Sequence, residues 1–293
     1  MKDFVIFADS ACDLPLNIID ELDIKYLGIV CTLNGVEYIE DCGQTLKHKD
    51  FFKAVREGAL PTTAQINNFR FQESFEDYVK EGKSILYICF SSALSGTYQS
   101  AFIAKNEILE KYPSADINII DSKSASGGLG LLVYYAGLMK KQGKPIEEII
   151  DWVENNKLKV CHFFTVNDLD HLKRGGRISA TAATIGGLLN IKPVMHVNDN
   201  GELKNFVKAK GRKKAIKTLF ESFEKHILNP EEQTIIINHG DCIDDAETLA
   251  NMIREKYVVK DIVIHYLGPV IGSHTGADLL TLFFMGDTRS IEN

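Results

Sequence analysis

Short apolar runs, each followed by a hydroxyl-rich turn and then by apolar residues at helical spacing, recur along this chain. Ile85, Leu86, Ile88, Cys89 and Phe90 form the run of a buried strand. Ser91, Ser92, Ser95 and Thr97 follow and Gly96 interrupts. Tyr98, Ala101, Phe102, Ile108 and Leu109 then return with helical period. The same unit opens the chain, where Phe4–Ala8 runs into Asp9-Ser10-Ala11-Cys12-Asp13-Leu14-Pro15 and a helix is expected from about Pro15. A third unit begins with the strand Ile117–Ile120, turns through Asp121 to Gly130, and continues as a helix over Leu131–Lys140. Three units of this kind predict a parallel sheet wound with helices.

Between these units, Ile24–Leu33 reads as one strand, Asn34-Gly35 as a tight hairpin turn, and Val36–Ile39 as the return strand. Lys49–Gly58 and Phe69–Lys80 have amphipathic helical spacing. The stretch from Leu60 to Asn68 holds no period and is expected to be a contact-bearing loop. After the helix Ile146–Glu154 and the strand Val160–Val166 the pattern changes. Ile191–Val197 and Leu203–Val207 form a hairpin across Asp199-Asn200-Gly201, while Thr234–Ile237, Asp245–Glu255 and Ile262–Tyr266 alternate strand, helix, strand. Ala180–Leu189 is apolar and rich in small residues, and an apolar tail runs through Leu282. With 293 residues and 45% hydrophobic composition, the chain is long enough for two cores. The expected fold is α/β in two domains, residues 1–158 and 159–293. The first holds a mostly parallel sheet flanked by helices, the second a mixed or antiparallel sheet.

The junction after Phe90 is where chemistry is expected. A helix N-terminus presents unpaired N–H groups and a positive dipole end, and neighbouring hydroxyls add donors for a carboxylate or phosphate. Ser95 either serves such a ligand or simply caps the helix. Gly127, Gly128 and Gly130 do not complete a dinucleotide fingerprint, because Val133 stands in the third glycine's place. Close helix–strand packing accounts for them, with a nucleotide-binding module at Ser122–Gly130 as an alternative. Arg174 and Arg177 flank Gly175-Gly176 and suit a phosphate or a partner's carboxylate, or are two solvated arginines beside a turn. Lys208, Lys210, Arg212, Lys213, Lys214 and Lys217 form a basic cluster that is either a solvated face or a dock for an acidic partner. His274 sits among hydroxyls and glycines.

Charge and composition narrow the function. A net charge of -7 argues against a non-specific nucleic-acid binder. The opening MKDFVIFADS is interrupted by Asp3 and Asp9 and lacks the form of a secretory signal, and no stretch has the length of a membrane span. Cys12, Cys31, Cys42, Cys89, Cys161 and Cys242 are scattered, so neither a zinc site nor a disulfide framework is expected, and a reduced cytoplasm fits. A serine hydrolase elbow would need a glycine where Ala93 stands, and no P-loop is present. A hydrolase or phosphoryl-transfer enzyme using Ser95 with His274 remains the enzymatic alternative. Several neutral donors beside many apolar segments instead suit an anionic head with a long apolar body.

The motifs in their order carry a resemblance. They are Asp9-Ser10 with Asp13-Leu14-Pro15, Thr63-Ala64-Gln65, and Ser92-Ala93-Leu94-Ser95-Gly96-Thr97-Tyr98-Gln99-Ser100-Ala101. Asp121-Ser122, Asp168-Leu169, Gly175-Gly176-Arg177-Ile178, Ile191-Lys192-Pro193 and Gly272-Ser273-His274-Thr275-Gly276 complete them. Nearly end to end, the chain resembles the DegV family of bacterial fatty-acid-binding proteins, the type that serves as the fatty-acid-binding component of a fatty acid kinase. The resemblance implies a cytoplasmic carrier, with no cofactor and no stable membrane insertion, that holds one long-chain fatty acid such as palmitate between its domains. It implies that Thr63, Ser95 and His274, with the Gly96 amide, bind the carboxylate. It further implies that a partner kinase phosphorylates that carboxylate, and that Arg177 and Arg174 meet the kinase or the phosphate. Two departures fall in the binding region: Thr63-Ala64-Gln65-Ile66 where the family has Thr-Ser-Gln-Pro, and Gly276-Ala277-Asp278 where it has Gly-Pro-Gly.

Overall fold

The computed structural model describes residues 3–179 and 190–290. The three strand–turn–helix units meet in one sheet. β1 (Phe4–Asp9), β2 (Ile24–Leu27), β6 (Ser84–Cys89) and β7 (Ile117–Asp121) lie in the order β2-β1-β6-β7, all parallel. Helices α1 (Leu16–Glu21), α3 (Asn68–Lys80), α4 (Thr97–Lys111), α5 (Gly127–Lys141) and α6 (Ile146–Asn156) accompany it. Because the strands run the same way, the three polar turns fall along one carboxyl edge, where α/β sheets bind ligands. The fully buried Asp9 stitches that edge together. Its carboxylate accepts from the Ala11 amide, the Tyr87 hydroxyl and the Phe90 amide at 3.1, 2.8 and 2.9 Å.

One expected strand divides. Within Ile24–Leu33, β2 ends at Leu27 and β3 (Val30–Leu33) joins a different, antiparallel sheet with β4 (Val36–Ile39) and β5 (Thr62–Ala64), in the order β4-β3-β5. Gly28 permits the crossing, since a Cβ there would lie 2.3 Å from the Glu40 carbonyl oxygen. Asn34-Gly35 forms the expected turn, with φ of 52° and 80°. The Leu60–Asn68 stretch is not wholly a loop. Three of its residues make β5, too few to show a period, and its pairing with β3 sets Thr63 opposite Cys31.

The second large sheet is mixed, as expected. β8 (Val160–Thr165), β9 (Ile191–Val197), β10 (Leu203–Lys210), β11 (Thr234–His239), β12 (Asp261–Tyr266) and β13 (Leu280–Met285) lie in the order β10-β9-β8-β13-β11-β12, with only β11 and β12 parallel. The apolar tail is therefore a central strand, inserted between β8 and β11. The helices associated with this half are α7 (Asp170–Arg174), α8 (Arg212–His226), α9 (Ile243–Lys256) and α10 (Pro269–Thr275), while α2 (His48–Arg56) comes from the first half. Helix α10 was not apparent in a glycine- and hydroxyl-rich stretch. It forms because Ser273 and Thr275 donate back to the Pro269 and Ile271 carbonyls, at 2.7 and 3.0 Å, instead of competing with the helix. The Ala180–Leu189 stretch lies outside the described residues.

Side chains alternate across β8 and β13, so both faces of this sheet are buried. Phe164 and Phe283 join the apolar cluster shared with the parallel sheet, while Phe163, Leu282 and Phe284 pack against α8 and α9 on the other face. The α5 glycines do serve close packing. A Cβ at Gly127 would lie 2.3 Å from Asn238 Oδ1, at Gly128 2.0 Å from His162 Nε2, and at Gly130 2.6 Å from the Cys12 carbonyl oxygen.

Candidate functional site

A cavity of about 210 Å³ opens between the carboxyl edge of the parallel sheet and the inner face of the mixed sheet. That is far above the roughly 10–15 Å³ a single water requires. Thr63, Gln65, Ser95, Gly96, Arg177 and His274 line it. Away from them the wall is largely apolar, with Phe90, Phe164, Val197, Leu203 and Phe283. β13 begins shortly after α10 and runs away from it, so its residues give the cavity a direction. Leu279 lies toward His274, and Thr281 and Phe283, paired with Phe164 and His162 of β8, lie progressively farther. At ~3.3 Å per strand residue, Leu279 to Phe283 is about 13 Å.

Each polar group at the near end is placed by a different element. Thr63 stands on β5 and His274 in the last turn of α10, and Thr63 Oγ1 lies 2.8 Å from His274 Nε2. Burial pushes the His274 imidazole down to about 4, helped by the charges of Arg177 and Arg174, so the ring is neutral at neutral pH. Its Nδ1 is buried and makes no hydrogen bond among the described residues. A neutral ring bonded to a hydroxyl leaves one donor over in either tautomer. Either Nδ1 carries the proton and Nε2 accepts from Thr63, or Nε2 donates to Thr63 and the threonine proton is released. In the first the spare donor is the buried Nδ1 against Gly175; the second frees the threonine O–H for an acid without bringing a cation into contact.

Ser95 lines the cavity and is not the helix cap, which is Gly96. The Ser95 Oγ accepts from the Thr97 amide at 3.2 Å and lies 2.9 Å from Thr97 Oγ1, so it also organises the start of α4. Gly96 makes room for a neighbour. A Cβ there would lie 2.0 Å from Gln65 Oε1, and the Gln65 amide donates to Ser100 Oγ at 2.9 Å. Arg177 is half-buried in the wall, where its Nε donates to the Leu94 carbonyl at 3.1 Å and Nη1 to the Gly175 carbonyl at 2.6 Å. Desolvation lowers its pKa. Arg174 does not line the cavity; its Nη2 lies 3.0 Å from His171 Nδ1 and donates to the Ser273 carbonyl at 3.4 Å, gripping α10 from outside. The basic cluster does not join the site either, and Arg212 is bound to Asp245 at 2.7 Å.

Two functional contributions were not apparent in the sequence. Gly175 is the floor under the imidazole, since a Cβ there would lie 2.3 Å from His274 Nδ1. His162 forms the far wall as a buried ring whose pKa burial holds well below the usual range, with Nδ1 2.9 Å from the Val160 carbonyl oxygen. Neither a glycine's distant neighbour nor a strand histidine's facing is written in local spacing.

The enzymatic and nucleotide alternatives find less here. Among the described residues no hydrogen bond joins Ser95 to His274, the nucleophile–base contact a hydrolase uses. In the Ser122–Gly130 segment, the Ser124 amide donates to Ser122 Oγ, Ser124 Oγ to the Ser122 carbonyl, and Ser126 Oγ to Asp13. Gly127 and Gly128 are packed by the mixed sheet and Gly130 by Cys12 and Leu14, rather than left to cradle a phosphate. Among the described residues no group of His, Cys, Asp or Glu side chains could hold a metal ion, and no helix is long and apolar enough to cross a membrane.

Comparison with known proteins agrees with this geometry. The family model for DegV, a family described as uncharacterised, matches residues 3–287. A DegV domain-containing protein of Clostridium perfringens is 63% identical over 289 residues, covering 99% of both chains. A Thermus thermophilus DegV family protein, whose structure concerns fatty acid binding, superposes with a TM-score of 0.87 at 28% identity, covering 98% of this chain and 100% of that one. A Thermotoga maritima protein whose structure reveals a fatty acid binding function superposes with a TM-score of 0.83, also at 28% identity and the same coverage. Matched to the family model over nearly its whole length, and superposing on these structures through both of its large sheets, this chain belongs to the DegV family.

Proposed function

We propose that this protein binds one long-chain fatty acid such as palmitate and is a carrier rather than an enzyme. The observation that carries the reading is the neutral Thr63–His274 pair standing at one end of a cavity whose other walls are largely apolar. The carboxylate takes donors from Thr63, Ser95, His274 and the Gly96 amide, and the acyl chain extends along β13 toward Phe283. A dozen buried methylenes would contribute roughly 10 kcal/mol before association costs, which is why neutral donors suffice at the head. We read residues 1–158 and 159–293 as two α/β domains with the ligand at their interface. Six free thiols fit a reducing cytoplasm. We read Arg177, in the cavity wall, and Arg174 behind it as the residues that meet a fatty acid kinase or a phosphate formed on the carboxylate.

Native mass spectrometry of the purified protein should show a retained fatty acid. Ser95→Ala and Thr63→Ala should each weaken its binding by roughly 1–3 kcal/mol, the cost of leaving a buried acceptor short of a partner. Unchanged affinity in both variants would remove the head-group assignment. Ester turnover lost in Ser95→Ala would favour the hydrolase, and a thermal shift with nucleotides but none with fatty acids would favour the nucleotide module.

A further inference from the structure

Two buried carboxyl groups meet at the start of the helix that carries His274. Asp13 ends the turn after β1 with φ of 47°, and its Oδ1 accepts from the Gly268 amide at 2.9 Å. Glu40 follows β4, and its Oε2 accepts from the Val270 amide at 3.4 Å. Both are 5% exposed. They converge over Gly268, where a Cβ would lie 1.7 Å from Glu40 Oε1 and 3.0 Å from Asp13 Oδ1. Ser126 donates to the second Asp13 oxygen and Ser10 bonds Glu40. Neither acid pairs with a cation among the described residues.

We propose that Asp13 and Glu40 are positioning residues for the head-group site, an acid–carboxylate pair that shares one proton, grips the first turn of α10 and thereby sets His274 against Thr63. The chemistry on each side is defined. With Asp13 ionised, both of its oxygens accept bonds, and Glu40 carries the proton and donates it toward Asp13 over Gly268. Two ionised carboxyls in this place would repel each other with no cation to offset them. Burial raises both, Asp13 to about 7 and Glu40 well above its usual range, each raised further by an acidic neighbour. The titratable groups facing the pair are Asp9, Cys12, Tyr26, Cys31, Asp41 and Cys42. Burial pushes the thiols and the Tyr26 hydroxyl up, and His274 is held down to about 4, so the thiols, Tyr26 and His274 keep their charge between pH 6 and 9. Below about 7 both acids hold a proton; as pH rises past it Asp13 ionises while Glu40 keeps the proton the pair then shares, and the grip on α10 tightens.

This inference rests on the fatty-acid reading only for its binding readout, so the experiment has two arms. In the first, hydrogen exchange by NMR gives protection factors for the Gly268 and Val270 amides of the ligand-free protein from pH 6 to 9. They should rise as pH rises through about 7 in the wild type and stay level in Glu40→Gln, whose amide donates to Asp13 permanently. In the second, palmitate affinity is measured over the same range. Glu40→Ala and Gly268→Ala should weaken it by about tenfold, the equivalent of one buried hydrogen bond. Glu40→Gln should restore it and abolish its decline below pH 7. Level protection in the wild type, or the same pH profile in Glu40→Gln as in the wild type, overturns the proposal. If no variant binds palmitate, the wild type included, the fatty-acid reading fails while the exchange arm still decides this one. If Glu40→Ala does not fold, Glu40→Gln and the pH profile decide it.

Discussion

Replacing Gly175 by alanine separates the head-group site from the fold that supports it. Gly175 has φ of -72°, a conformation alanine adopts freely, so no backbone strain follows. Restricting the unfolded chain at such a position is worth about 0.4–1 kcal/mol in favour of the variant. The new Cβ, however, would lie 2.3 Å from His274 Nδ1 and 3.3 Å from the His171 carbonyl oxygen. The imidazole must tilt away, and its 2.8 Å contact with Thr63 cannot survive a shift of that size. A buried polar group left without its partner costs about 1–3 kcal/mol, which corresponds to roughly 5- to 150-fold in affinity. The two effects oppose each other in stability but not in binding. Displacement of a fluorescent fatty-acid analogue should therefore show weakened binding, while the melting temperature stays within about 2–4 °C of the parent. Unaltered affinity would refute the placement of His274 in the head-group site. A collapse of melting temperature in step with affinity would refute the claim that the clash is confined to the ring.

Gly128→Ala tests the packing of α5 in the opposite sense. Alanine gains about 1 kcal/mol of helix propensity but drives a Cβ to 2.0 Å from His162 Nε2, an overpacking worth about 1–3 kcal/mol. A lowered urea midpoint is expected, and a raised one would show that His162 moves aside. Asp13 keeps its proton in the folded protein up to about 7, while in the unfolded chain it loses it near 3.8. Its contribution to stability is complete below 3.8 and is lost as pH rises to about 7, so Asp13→Asn should gain stability relative to the wild type across that interval in chemical denaturation. His239, His265 and His274 are held down to about 4 by burial. From their ordinary 6.5 downward the unfolded chain takes up protons that the folded one refuses, so stability should fall as pH drops from about 6.5 to 4. Replacing His265 by Gln should flatten part of that fall.

The parallel sheet was legible because each of its strands is a short apolar run closed by polar residues, and the glycines of α5 were legible by elimination. The reach of Thr63 toward His274 across 211 residues was not legible from periodicity. It depends on a three-residue strand and on a seven-residue helix whose hydroxyls bond inward. Thr63, Ser95 and His274 were singled out by the order of motifs, while the structure supplies what that order could not: the Thr63–His274 contact itself and the room Gly175 leaves for the ring. The division of Ile24–Leu33 hid for a similar reason. A mostly apolar run carries little mark of which sheet each half will join, and the sign of the break was Gly28.

β13 holds the middle of the mixed sheet although it is almost the last segment of the described chain, bonded on one side to a strand that begins at Val160 and on the other to one that begins at Thr234. During synthesis, β8 and β11 must wait with bare edges until residues up to Met285 have left the ribosome, a delay of several seconds at about 5–20 residues per second. Nascent chains shortened before Leu280 would keep those edges open and be prone to self-association. Thr281 and Phe283 arrive with the same strand, so the cavity gains its wall only when the sheet closes.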